Sequence, residues 1–323
     1  MITNFLIMIT HKYFACLLLK SSLMALLVCT GTVLYGQETD SVAASEVAFV
    51  KKQKPVKNMF TGIWLIDNQT AFVPVKGTFE MDIMHRFGTI KKGYEDFYGF
   101  FAPSNIRLGF DYVPINNLMI GVSITKANMT WEAYGKYALL QQTPGKYPVS
   151  VSYLADVSWD TRGRDNFLHW SDRLMYFHQL MIARKITNKL SLQLAPSISH
   201  INIVNGYFKT IKTSSTVDDS VKSVLEGELK HQHIAIAFSG RYQFKTSMAV
   251  IFNADQPITK HITGNPRPNL SLGIEISTSA HAFQLFLGNY ASITPQRNNY
   301  FNRNDFTKGE FLIGFNITRL WNY

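Results

Sequence analysis

After residue 36 the sequence offers no apolar run of the roughly 20 residues that a membrane-crossing helix requires. It repeatedly alternates large apolar with small or polar residues over segments of about ten positions. A period of two places successive side chains on opposite faces of an extended chain. Twelve such segments are predicted, near 77–87, 105–113, 118–126, 130–141, 149–158, 173–185, 190–201, 231–242, 247–254, 268–277, 282–290 and 309–320. In the second, Ile106, Leu108, Phe110 and Tyr112 share one face while Arg107, Gly109 and Asp111 share the other. In the last, Phe311, Ile313, Phe315 and Ile317 oppose Glu310, Gly314, Asn316 and Thr318. The predicted class is all-β, with the strands closed into an antiparallel, up-and-down barrel.

The connections sharpen this expectation. Turn-like sequences at 114–117, 143–146, 187–189, 245–247 and 279–281 alternate with longer stretches at 88–104, 159–172, 202–230, 255–267 and 291–308. Only the connection 127–129 breaks the rule. Short turns at one end and long loops at the other are the pattern of transmembrane barrels of the bacterial outer membrane, whose short turns are periplasmic. An even number of strands brings both ends of the barrel to that side. The sequence closes on an alternating strand with Trp321 and Tyr323, and aromatics make up 13% of residues, many near strand ends as in interfacial girdles. That last strand is the one expected to engage the barrel-assembly machinery. A soluble sandwich or lipocalin-like barrel also alternates, and alternation alone does not say which face is inside. The loop asymmetry and the aromatic terminus favour the membrane version.

Residues 1–36 differ in kind. They contain no acidic residue, carry Lys12 and Lys20, and run apolar from Ser22 to Tyr35. This is the design of an export signal, with cleavage expected before Gln37. The expected location is therefore the outer membrane of a Gram-negative bacterium. Both cysteines, Cys16 and Cys29, fall inside this segment, so disulfides, thiol nucleophiles and thiolate metal sites are not expected afterwards. Residues 37–60 form a basic leader or linker containing the run Lys51-Lys52-Gln53-Lys54-Pro55-Val56-Lys57. Residues 61–76 are apolar enough to pack as a short strand or a plug at the barrel mouth. The whole chain has 32 Lys and Arg against 22 Asp and Glu. Nucleic acid is not an expected partner for an exported chain. Outer-membrane lipid is, together with a solute that the residues do not name.

If large apolar side chains face lipid, the charged positions of the strands face the lumen, because a charge facing mid-bilayer costs about 2–4 kcal/mol. The expected lining comprises Glu80, Asp82, Arg86, Arg107, Asp111, Glu132, Lys136, Arg241 and Glu275. This set is close to balanced in sign. It suits either a selective constriction or a lumen filled by mutual ion pairs. Two function classes follow: a narrow passive channel for a small solute, or a sealed structural or binding barrel acting through its extracellular loops. An interfacial lipid hydrolase is a distant third. Ser197, Ser199 and His200 are close in sequence, but Ser199 and His200 are adjacent on a strand and point apart, so no catalytic residue is assigned. His231 and His233 share a strand face and could offer two imidazoles to a metal. Their spacing supplies no third ligand, so no metal site and no cofactor is assigned. Arg162-Gly163-Arg164 forms a basic spot in a long loop, suited to surface polysaccharide or lipid phosphate.

The segment Val75-Lys76-Gly77-Thr78-Phe79-Glu80-Met81-Asp82-Ile83-Met84-His85-Arg86-Phe87-Gly88 resembles the opening strand of domain-of-unknown-function family 5777. That family consists of membrane-bound β-barrels of Bacteroidetes-type bacteria. The resemblance continues through Ile106–Tyr112, Leu180–Lys185, Leu190–Pro196, His281–Leu285 and Gly314–Arg319, and so spans about residues 61–321. It implies a barrel and an outer-membrane location, and no activity.

Overall fold

The computed structural model describes residues 53–215 and 218–322. The predicted export signal and most of the basic leader lie outside these residues. A pair of two-residue strands, β1 (Trp64–Leu65) and β2 (Asn68–Gln69), precedes the barrel. Seven barrel strands follow: β3 (Thr78–Thr89), β4 (Asn105–Ile115), β5 (Leu118–Thr125), β6 (Thr130–Leu140), β7 (Ser150–Asp160), β8 (Leu174–Lys185) and β9 (Leu190–Ile201). A separate hairpin, β10 (Gly206–Ser215) and β11 (Asp218–Glu228), interrupts them. The barrel resumes with β12 (Gln232–Lys245), β13 (Met248–Pro257), β14 (Asn269–Ser277), β15 (His281–Gly288) and β16 (Leu312–Asn322). One short helix, α1 (Pro295–Phe301), lies between the last two.

Each barrel strand pairs antiparallel with its neighbours, and β9 pairs directly with β12 across the inserted hairpin. Closure is made by β16 against β3, in a register running from Gly314 opposite Arg86 to Asn322 opposite Thr78. Closing the sheet leaves no edge strand whose peptide groups would lack partners, and that is the condition for placing a sheet in lipid. Twelve strands close as the sequence predicts. Boundaries differ most at the last strand, because Gly309 turns the chain with φ 69° and the ladder starts only at Leu312.

Burial alternates along the strands. In β15, Ala282, Gln284 and Phe286 are buried while Phe283, Leu285 and Leu287 are exposed. The exposed set includes Leu272, Ile274, Ile276, Phe238, Val250, Ile120 and Val122, an apolar belt around the outer wall. In water such a belt would be a large uncompensated apolar surface; in a bilayer it is the solvated face. Among the described residues no helix is long and apolar enough to cross a membrane, and the strands provide the crossing instead.

The two ends are unlike. At one end the strands join through short turns, including 116–117, 186–189 and 278–280, and the chain enters and leaves there. At the other end stand the longer connections, the β10–β11 hairpin and α1. Neither of these last two elements was predicted, since 202–230 and 291–308 carry no clear period in sequence. Residues 53–58 run outside the short-turn end, where the Val56 N–H donates to the Gln142 carbonyl (2.8 Å) and Lys185 Nζ to the Lys57 carbonyl (2.9 Å).

Leu285→Arg, at the middle of the outward face of β15, is expected to lower the unfolding free energy in lipid by about 2–4 kcal/mol. Urea titration of reconstituted protein, with Leu285→Ala as the control for lost packing, measures it.

Candidate functional site

The interior of the barrel is occupied. From Met59 to Ala71 every residue but Thr61 is buried, so the segment expected as a short strand or a plug at the mouth extends inside the barrel and turns at Ile66-Asp67. Ile66 sits in the left-handed region (φ 59°) at this turn. The segment then descends to β3. Such a narrow hairpin satisfies few of its own peptide groups; Thr70 N–H reaches the Ile63 carbonyl (2.8 Å). Buried peptide groups need partners, and here the wall supplies them through side-chain amides. An amide both donates and accepts, so it can stand in for a strand edge. Gln284 accepts from Ile66 N (3.0 Å) and donates to the Trp64 carbonyl (3.0 Å). Gln193 accepts from Ala71 N and donates to the Gln69 carbonyl (2.8 Å each). Asn316 donates to the Ile66 carbonyl (2.7 Å), Ser152 to that of Ala71 (2.7 Å) and Lys136 Nζ to that of Thr70 (3.1 Å).

Side chains of the hairpin are gripped as well. Asp67 forms an ion pair with Arg86 deep in the interior. Asn68 donates to Asn253 (2.8 Å) and Asp255 (2.7 Å), and Thr61 to Glu275 (2.7 Å). The Trp64 ring lies 4.7 Å from the Arg107 guanidinium. Ile63, Trp64, Leu65 and Ile66 also join an apolar cluster with Met84, Phe177, Met181 and Phe286 of the wall.

All nine sequence-predicted lining residues are buried within the barrel, at 5% exposure or less. Arg86 pairs with Asp67 of the hairpin, and the other eight fall into three groups. Arg107 bridges Asp82 (2.7 Å) and Glu132 (2.9 Å), and its Nη2 donates to the Tyr134 hydroxyl (3.3 Å). Arg241 pairs with Glu275 (2.7 Å). Glu80 and Asp111 stand opposite each other on β3 and β4 and have no ion pair among the described residues, with the Ile63 backbone beside Glu80. Tyr134 and Lys136 lie close to Asp111. The near-balance of sign expected from sequence does not hold. Asp67, Asp156 and Asp255 are also buried inside, so that, leaving aside Asp160, which pairs with Arg297 and Arg162 at the mouth, carboxylates outnumber the cations Arg86, Arg107, Lys136 and Arg241 by eight to four. Asp67 belongs to a segment without strand periodicity. Asp156 lies within the predicted strand 149–158, on the same face as Ser152 and Ser158, and Asp255 lies one residue beyond the predicted 247–254, so the alternation of β7 and β13 could have found both.

Glycines make this packing possible. A Cβ at Gly109 would lie 1.9 Å from Asp82 Oδ2 and 2.9 Å from Arg107 Nη1, and one at Gly121 would lie 2.3 Å from Asp111 Oδ1. The pattern Arg107-x-Gly109-x-Asp111 therefore spaces two charges around a gap that receives a third from β3.

The long-loop end is narrowed by α1, whose Pro295, Gln296, Asn298, Asn299 and Tyr300 are buried. Arg297 reaches Asp160 at the end of β7 (3.4 Å), and Asn298 sits beside Asp67 at the hairpin tip. Tyr300 packs against His233 and His261, with ring centroids 4.7 and 4.5 Å away. Burial holds His261 below the ordinary imidazole range, against the pull of the Tyr300 carbonyl, with Lys230 and Arg303 adding to the depression. His231 instead faces the Ile201 carbonyl (2.7 Å), so the His-x-His pair is divided between two environments.

Comparison with known families places these features. The family model described as "Membrane bound beta barrel domain (DUF5777)" matches residues 60–321. The chain belongs to this family. The match begins with the lumenal hairpin, so the family's domain includes that segment along with the wall. No curated protein matches the sequence. Among solved structures, the NanC porin is 7% identical with a TM-score of 0.43, covering 76% of this chain and 99% of its own. The KdgM porin is 9% identical with a TM-score of 0.40, covering 76% and 99%. An outer membrane channel from Pseudomonas putida F1 is 12% identical with a TM-score of 0.43, covering 77% and 97%.

Arg107→Ala leaves Asp82 and Glu132 facing each other without their shared cation. It is expected to cost about 3–5 kcal/mol of stability, the usual penalty for breaking a buried pair. Adding Asp82→Asn and Glu132→Gln is expected to restore a large part, read by urea unfolding in detergent.

Proposed function

We propose that this membrane-bound β-barrel is an outer-membrane channel, exported through the N-terminal signal and held closed by its own hairpin, whose interior favours small cations or neutral polar solutes. The observation that carries the reading is the character of the buried charge. A wall that merely filled space would close each ionised group with a partner or use apolar side chains, because an unpartnered buried charge is costly. Here carboxylates are in excess, and Glu80 and Asp111 have no ion-pair partner among the described residues. Such groups suit a hydrated path in which a passing cation takes the place of a fixed one. The hairpin grip is largely amide-to-peptide bonding, which water can replace when the hairpin withdraws.

One observation favours the sealed alternative, in which the long loops are the working surface. Ile63 to Ile66 pack into an apolar cluster with the wall, and withdrawing them exposes that surface to water.

The two readings separate in a planar bilayer. The native protein is expected to show rare openings, and Asp67→Asn, which removes the ion pair at the hairpin tip, more frequent ones. In a KCl gradient the reversal potential is expected to have the sign of cation preference. Silence in both proteins, with the barrel folded, would establish the sealed reading; anion preference would refute the lumenal assignment.

A further inference from the structure

The basic spot at 162–164 finds a setting that the channel reading does not use. A groove of about 930 Å³ lies on the wall where β7 ends and β8 begins. Val157, Trp159 and Leu174 form part of it. These alternate with the buried Ser158, Asp160 and Met175, so they belong to the outward face and to the apolar belt. Trp159 stacks on Trp131 of β6 (6.3 Å), the kind of aromatic pair that marks the interfacial level of a barrel. The connection 161–173 adds Leu168 and Trp170 to the groove, and they are 88% and 72% exposed. It also adds Arg164, His169 and Arg173.

The arginines are differently committed. Arg162 pairs with Asp160 (2.8 Å) and is not part of the groove. Arg173 is fixed, with Nη1 donating to the carbonyls of Asp160 (3.0 Å) and Arg162 (2.9 Å) and its guanidinium 4.5 Å from the Phe167 ring centroid. Arg164 is exposed and has no ion pair among the described residues. The groove thus combines an apolar wall that faces lipid with two guanidinium groups and an imidazole.

We propose that this groove binds a phosphate-bearing lipid of the leaflet at the long-loop end. An acyl chain lies along Val157, Trp159 and Leu174, and the phosphate sits between Arg164 and Arg173. Guanidinium groups match phosphate geometry with paired N–H donors. A soluble anion or a polysaccharide would have no use for the outward apolar wall; its continuity with the belt is what commits the site to a lipid. This inference is independent of whether the lumen conducts.

The test uses the full mature barrel, purified in detergent and incubated with dimyristoyl phosphatidic acid, and counts lipid retained after washing by native mass spectrometry. Retention is expected to fall about fivefold in Arg164→Ala, the weight of one basic residue at a membrane surface, and to recover in Arg164→Lys. Dimyristoyl glycerol, which lacks the phosphate, is expected not to be retained, and inorganic phosphate not to displace the bound lipid. Equal retention by Arg164→Ala, with the barrel shown to be folded by its heat-dependent gel mobility, would overturn the proposal. So would retention of dimyristoyl glycerol to the same extent, or displacement by inorganic phosphate.

Discussion

The ladder between β3 and β16 is the constraint on which the rest depends. A sheet in hydrocarbon cannot leave peptide groups unpaired, so the first and last strands must meet. Their meeting commits every strand to one inward and one outward face. Once the outward face is apolar, whatever polarity the strands carry goes inside, and the interior must then be satisfied there. Arg107 between Asp82 and Glu132, and Arg241 against Glu275, are consequences of closure as much as devices of function.

A twelve-stranded wall encloses more space than its own side chains fill. The hairpin at 59–71 answers this, and its sequence is suited to the task. Its apolar residues pack against the few apolar inward positions of the wall, such as Met84 and Met181, while its peptide groups are met by Gln193, Gln284 and Asn316. Amides serve better than charges at these places, because one residue satisfies a donor and an acceptor without bringing a further charge into the interior. Charged wall groups also take part, with Lys136 on the Thr70 carbonyl and Glu275 on Thr61, and the ion pair of Asp67 with Arg86 sits at the turn of the hairpin.

The outer mouth obeys different physics. There the chain is no longer bound to a period of two, and longer connections fold over the barrel by side-chain contacts specific to this protein. Arg297 with Asp160, and Tyr300 with His233 and His261, hold α1 across the opening. The 161–173 connection leans the other way, towards the outward wall, and carries the lipid-facing groove. The same end of the molecule thus presents one surface to the lumen and another to the membrane.

The alternation of Ile106 to Tyr112, or of Leu190 to Ala195, is legible by eye because a strand with two different solvents must repeat every two residues. That local rule determined the strands, the closed barrel and the inward placement of Glu80, Arg107 and Arg241. The long loops hid α1 and the β10–β11 hairpin, since short elements stabilised by distant contacts leave no period. The sequence marked 61–76 as apolar but could not say how far it penetrates. Its depth depends on Gln284 and Asn316, more than two hundred residues away, on Arg86 of the neighbouring wall strand, and on the space that closure leaves. Of the added lumenal carboxylates, Asp156 and Asp255 follow the strand alternation, whereas Asp67 becomes lumenal only through tertiary packing. Strand and face are therefore properties of the sequence, set by the spacing of neighbours along the chain. What fills the barrel, and which charges are left without partners inside it, was decided only when distant segments competed for the same enclosed volume.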